Sequence, residues 1–231
     1  MSATSAQKPP GSLISWLSKH IEIILVTLLG LASVATAYTS FQASLYDSQM
    51  AGAYAVAQNF KTEAESLYLE ANQQFVHDAQ VLMTIEDLEY DIHHGDAATA
   101  ALAQAKIDGV YLPSVSDTFA AAIFAADAAN AANPDKYVDP QEDKAYVAEL
   151  FDPYEKKVVE SEEKMAIGDQ YNSYGDELTL YTVLMALSLF ILGVAAVLKK
   201  LRMQIMLVAL SMIVFTFAAV LTAMVPFVAL G

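Results

Sequence analysis

LTLYTVLMALSLFILGVAAVL, residues 178–198, contains no Asp, Glu, Lys, Arg or His in 21 positions. About 20 apolar residues in a helix cross the hydrocarbon core of a bilayer. Lipid offers backbone N–H and C=O groups no partner, so a stretch of this kind spans as a helix. KKLR, residues 199–202, follows it, and a second apolar run then extends from Met203 to the end of the chain. A link of four residues makes the two runs a helical hairpin. A third run lies near the N-terminus, where IEIILVTLLGLASVATAYT begins at Ile21.

These runs explain why 55% of the 231 residues are hydrophobic, too many for an ordinary soluble domain. The pattern predicts an all-α fold. Residues 1–17 form a short cytoplasmic N-terminus, and transmembrane helices cover 18–39, 178–198 and 203–231, the last with a short external end. Residues 199–202 form a cytoplasmic loop. Residues 40–177 form an acidic extracytoplasmic helical bundle continuous with spans one and two. The first run also has features of a signal peptide: Lys8, Lys19 and His20 precede it, and ATA at 35–37 resembles a cleavage site. Its length, and its passage without a turn signal into SFQASLYDSQMAGAYAVAQ, favour a retained anchor.

Charge sets the expected orientation. From Ser40 to Leu178 there are 26 Asp or Glu against 7 Lys, a net of −19. The rest of the chain holds Lys8, Lys19, Lys199, Lys200, Arg202 and the single acid Glu22, a net of +4. Basic residues in short loops stay on the cytoplasmic side. The expected location is thus the plasma (inner) membrane, with the N-terminus inside and residues 40–177 outside. The lone Trp16 suits an interfacial anchor. The acidic segment repels nucleic acid and attracts cations. The chain has no cysteine, so disulfides and thiol chemistry are excluded.

Within the acidic segment, Phe60, Ala64, Leu67, Ala71, Phe75, Leu82, Ile85 and Ile92 recur at three-four spacing, the seam of an amphipathic helix packed on a core. Unbroken from Phe41 to His94 it would be about 80 Å long, and Gly52 is where it would kink if it breaks. Gly95 suits a left-handed helix close, Asp96 an N-cap, and Gly109 the end of the helix that Asp96 begins. SVSD after Pro113 predicts a capping box for the next helix, which Asn133-Pro134 stops. Asp139-Pro140 and Asp152-Pro153 each predict a further helix start, with Pro at the tolerated first position. The last of these helices runs on into span two, with Gly168 and Gly175 as weak points. Small residues of span one (Gly30, Ala32, Ser33, Ala35, Thr36 and Ala37) predict close helix contacts in lipid.

Two stretches flank the membrane: ATAYTSFQASLYDSQ at 35–49 and GDQYNSYGDELTLYTVLMALSLFILGVA at 168–195. Together with the three-span layout they resemble a group of uncharacterised bacterial integral membrane proteins with an extracytoplasmic helical domain. The resemblance implies the architecture and carries no activity or site residues.

IEDLEYDIHHGD, residues 85–96, gathers five acids and two histidines, with His77 not far upstream. On a helix, Glu86, Glu89 and His93 share a face, as do Asp87, Asp91 and His94. A carboxylate four residues from a histidine is a metal-ligand spacing, which makes Glu89, His93 and His94 the candidate metal ligands. A solvated helix end explains the same residues more simply, because histidine interacts well with a helix C-terminus. The acidic run ESEEKMAIGD at 160–169 reads either as a cation vestibule or as a wet helix face. Glu155 with Lys156 and Lys157, and Glu160 with Lys164, suit surface pairs, the second at the favoured spacing. Spans two and three hold no ionisable residue between Thr179 and Leu198 or after Arg202, and their hydroxyls Thr182, Ser188, Ser211, Thr216 and Thr222 suit either pore lining or interhelical hydrogen bonds.

No catalytic set, phosphate loop or cofactor motif is present, so neither an enzyme nor a cofactor is expected. The leading expectation is a non-enzymatic scaffold or accessory subunit assembling through its helices. It would be a homo-oligomer or a partner of other membrane subunits in the lipid bilayer. The alternatives are an oligomeric cation channel with an acidic vestibule, or a sensor module needing a separate output partner.

Overall fold

The computed structural model describes residues 12–229. Lys8, most of the expected cytoplasmic N-terminus and the last two positions of span three lie outside the described residues. Among the described residues the fold is all-helical. The long helices are α1 (Ser12–His94), α4 (Lys144–Val197) and α5 (Leu201–Met224). Between α1 and α4 lie α2 (Ala97–Lys106) and α3 (Asp117–Ala132), with short turns of wider or tighter pitch. Three helices are long and apolar enough to cross a membrane, α1, α4 and α5.

The chain forms two compact units. One comprises Tyr54–Met165, and the other the chain up to Ala53 and from Ala166 onward. In the unit that holds the apolar runs, α1 and α4 are antiparallel and α5 packs on both. Ile21, Leu25 and Ala32 of α1 and Leu192 and Ala195 of α4 form one core, with Leu207, Val208 and Phe215 of α5 against it. Outward-facing Val26, Val34, Phe190, Ile213 and Phe217 are all exposed. Helices apolar on every side are covered by lipid rather than water. Of the small residues of span one, Ala32 is buried and Ala35 and Thr36 half-buried, while Gly30, Ser33 and Ala37 face outward.

In the other unit, Val81 and Ile85 of α1, Ile107, Phe119, Ala122 and Ile123, and Tyr146 of α4 make the core. Ala57, Ala64, Ala71, Asp78 and Ile85 are buried at strict seven-residue spacing. Such a repeat keeps one narrow side of a helix against its neighbour, and alanines there let α4 come close. Ser161 Oγ on α4 donates to the Ala57 carbonyl at 2.9 Å.

α1 runs unbroken through Gly52 and has no proline. Several other sequence expectations are corrected. Gly95 does not adopt a left-handed conformation. Its role is steric: an added Cβ would lie 2.6 Å from the Asp91 carbonyl and 2.9 Å from the Thr99 methyl. Gly109 does not end α2 but sits within a π turn, Ile107–Tyr111. The wide turn sets Leu112 over Ile107, and both join the core, so burial outweighs the low helix propensity of glycine. Asp96 caps α2 as expected, accepting from Thr99 N at 2.8 Å. Helix α3 is capped by Ser116, which accepts from Phe119 N at 3.1 Å, and Phe119 cannot return the bond of a capping box. Ser114 instead donates to the Tyr111 carbonyl.

Asp139-Pro140 opens only a single tight turn, Pro140–Glu142. Asp143 then caps α4, accepting from Ala145 N and Tyr146 N. Asp152-Pro153 starts nothing, since Pro153 lies inside α4. Packing holds the helix on both sides of the missing N–H: Tyr146 is in the core, and the Tyr154 ring is tilted against Tyr68 with centroids 5.2 Å apart. Gly175 is a contact rather than a weak point, because a Cβ there would meet Asp47 Oδ1 at 2.9 Å. Arg202 belongs to the first turn of α5, not to the loop. α5 stops at Met224, and residues 225–229 are not helical, because Pro226 cannot supply a helix N–H.

Candidate functional site

At the end of α1, the helical spacing brings Glu86, Glu89 and His93 to one cavity of about 560 Å³. Asp127 of α3 and Tyr137 line the same cavity, and neither was grouped with them by the sequence. Burial, followed by the charges of Asp127 and Glu86, holds the Glu89 carboxyl above its ordinary range, and His93 partly offsets this. Burial likewise raises Asp127. Burial also raises Tyr137, with further contributions from the charges of Glu86 and Asp139 and a hydrogen bond to Glu86. His94 is separated from this group. It stacks on Tyr90 with ring centroids 4.1 Å apart, and its Nδ1 lies 3.0 Å from the Tyr90 carbonyl. Among the described residues, no group of three or more His, Asp and Glu is placed to hold a metal ion. The arrangement is an acidic cavity with one imidazole at its edge.

A second polar centre was not legible as a site. Asp78 is fully buried, and its carboxylate accepts from Tyr146 Oη at 2.8 Å and from Gln74 Nε2 at 2.8 Å. Burial, the hydrogen bond and the charge of Asp78 together push the Tyr146 hydroxyl above its ordinary pKa, so it stays a donor. The signal for this pair is positional: Asp78 occupies the seven-residue row otherwise filled by Ala57, Ala64, Ala71 and Ile85.

The two membrane-flanking motifs come together. Tyr46 of α1 lies 5.2 Å from Tyr174 and 6.0 Å from Tyr171 of α4, ring to ring. Tyr46 Oη donates to the Pro226 carbonyl at 2.6 Å. The Gln42 side chain donates to the Val228 carbonyl and accepts from Val228 N, at 3.3 and 3.1 Å. The segment after α5 is thereby fixed to α1 by backbone-like bonds from a side-chain amide.

Of the hydroxyls in the spans, Ser188 and Ser211 bond each other at 2.9 Å between α4 and α5. Thr182 and Thr222 donate to carbonyls of their own helices. In the acidic run, Glu160 pairs with Lys157 at 2.9 Å instead of Lys164, and Lys157 also reaches Glu63 at 3.2 Å.

The sequence reading also missed a row on the outside of α1. Leu69, Val76, Met83 and Tyr90 stand at seven-residue spacing and are 61%, 53%, 66% and 64% exposed. They are out of phase with the buried row, and counting apolar residues by sevens separates the two. The chain matches no protein-family model, no curated protein and no solved structure.

Proposed function

We propose that the chain is a non-enzymatic integral membrane protein that assembles through helix–helix contacts. It acts as a homo-oligomeric scaffold or as an accessory subunit of a membrane complex. The orientation proposed is N-terminus inside and residues 40–177 outside the plasma membrane, on the charge asymmetry. The observation that carries the reading is the uncovered apolar row on α1 within a segment otherwise dense in acids. The repetition of these side chains along one side of α1, rather than any one of them alone, is what supports an interaction surface. The buried polar groups fit a structural role: among the described residues no buried side-chain nitrogen or oxygen lacks a partner. The bonds of Ser188, Ser211, Thr182 and Thr222 within the chain favour packing over pore lining. The test is gentle extraction from the native membrane and native mass measurement. A particle at a multiple of 25.0 kDa, or one containing further chains, supports the reading; a lone 25.0 kDa chain overturns it.

A further inference from the structure

We infer that the row Leu69–Val76–Met83–Tyr90 is the seat of a second copy of this chain, paired parallel and in register with the first. The inference rests on the scaffold reading and gives it a surface and an occupant. Two observations and one consequence of the proposed topology support it.

The first is charge. From Ala71 to Ile85 the only acid is Asp78, and it is fully buried. The outer side of α1 there presents Gln73, Val76, His77, Gln80 and Met83, all exposed and none acidic, while Leu69 and Tyr90 at the ends of the row stand beside Glu65, Glu70, Glu86, Asp87 and Asp91. The surrounding segment carries a net of −19, so an identical segment is repelled by its acidic faces. A basic partner would gain most from those faces and nothing from this one. The acid-free stretch around Val76 and Met83 is where like can approach like.

The second is spacing. Four apolar side chains at seven-residue intervals repeat on one side of a helix, with Gln73, Gln80 and Asp87 between them, so the row offers one apolar layer every two turns, half of a full coiled-coil seam. A two-fold axis beside the row sets each residue against its own copy. Tyr90 adds an aromatic side chain at the far end, and Gln73 and Gln80 supply amides able to bond across the axis.

The third is direction. Copies inserted into one membrane in the same sense carry α1 in the same sense. Their pairing is then parallel, which is what an in-register row requires.

The absence of cysteine makes the test direct, since any thiol introduced is unique in the chain. Val76→Cys, Met83→Cys and, as an exposed control on α4, Glu163→Cys are made in the full-length protein in its native membrane. Each is treated with a short bis-maleimide and resolved by denaturing electrophoresis. The expected result is a band at twice 25.0 kDa, several-fold stronger at residues 76 and 83 than at 163. Adding Val76→Glu should abolish the Met83→Cys band by placing like charges across the axis. Equal yields at residues 83 and 163 would overturn the inference. So would a Met83→Cys product with a chain of another mass. A multi-chain native particle without the row crosslinks would overturn this surface and leave the scaffold reading standing. A native particle of one chain would overturn both.

Discussion

At the scale of single residues, the most consequential contact is Tyr146 with Asp78. Both side chains are fully buried, and the phenol supplies one of two donors to the carboxylate. Removing the hydroxyl leaves a buried acceptor under-satisfied, which typically costs about 1–3 kcal/mol. Tyr146→Phe should therefore lower the melting temperature of the full chain in detergent, read by circular dichroism. Tyr146→Phe combined with Asp78→Leu should recover part of the loss, because no buried charge then remains; additive losses would refute the pairing. The Glu89 and Asp127 carboxyls give a second prediction. Both have pKa values raised in the folded state, chiefly by burial. Such groups bind protons more readily folded than unfolded. Their unfavourable contribution grows as pH rises from the unfolded pKa to the folded one, and is relieved on acidification through that window. Glu89→Gln and Asp127→Asn should stabilise the protein at neutral pH, and the advantage should shrink as pH falls through the carboxylate range. An advantage independent of pH would show that these carboxyls are not the cause.

At the scale of elements, glycines of one helix type have opposite roles. A Cβ at Gly52 meets nothing within 4 Å, so Gly52→Ala should stabilise α1 by about 1 kcal/mol through backbone entropy. A Cβ at Gly175 lies 2.9 Å from the mobile tip of Asp47 but also 3.7 Å from Tyr46 Cβ and 3.8 Å from the Ala43 carbonyl, which leave no room for further atoms, so Gly175→Leu should force α1 and α4 apart and lower thermal stability. Melting curves that moved the same way for both would contradict the packing. The sequence made the apolar helices legible because each apolar run is near or above the length a bilayer demands. It also made Asp96 legible as a cap, because capping is decided within one turn. Pro153 was misread for the converse reason. Asp-Pro is a local start signal, but Tyr146 on one side and Tyr154 on the other hold α4 through it by contacts with α1. The grouping of Glu86, Glu89 and His93 was legible from helical spacing, whereas Asp127 and Tyr137 reach the cavity through tertiary folding. The separation of His94 follows from its stacking on Tyr90, a choice between rotamers that spacing does not determine.

At the scale of the whole molecule, the net charge of −15 divides into −19 over Ser40–Leu178 and +4 elsewhere. Acidic segments brought together by an uncharged apolar row work against their own repulsion. Salt screens that repulsion, with a Debye length of about 10 Å at 0.1 M and about 3 Å at 1 M. Burial of Val76 and Met83 against their copies is not weakened by screening, because it rests on apolar area removed from water. The fraction of chains in dimers should therefore rise as salt is raised from about 0.05 M to about 0.5 M. Association through ion pairs predicts the reverse trend, because screening then removes the attraction. Quantifying the Met83→Cys crosslink across that series separates the two cases. Rising yield places the contact on the apolar row. Falling yield places charged pairs at the contact and removes Leu69, Val76, Met83 and Tyr90 as its seat.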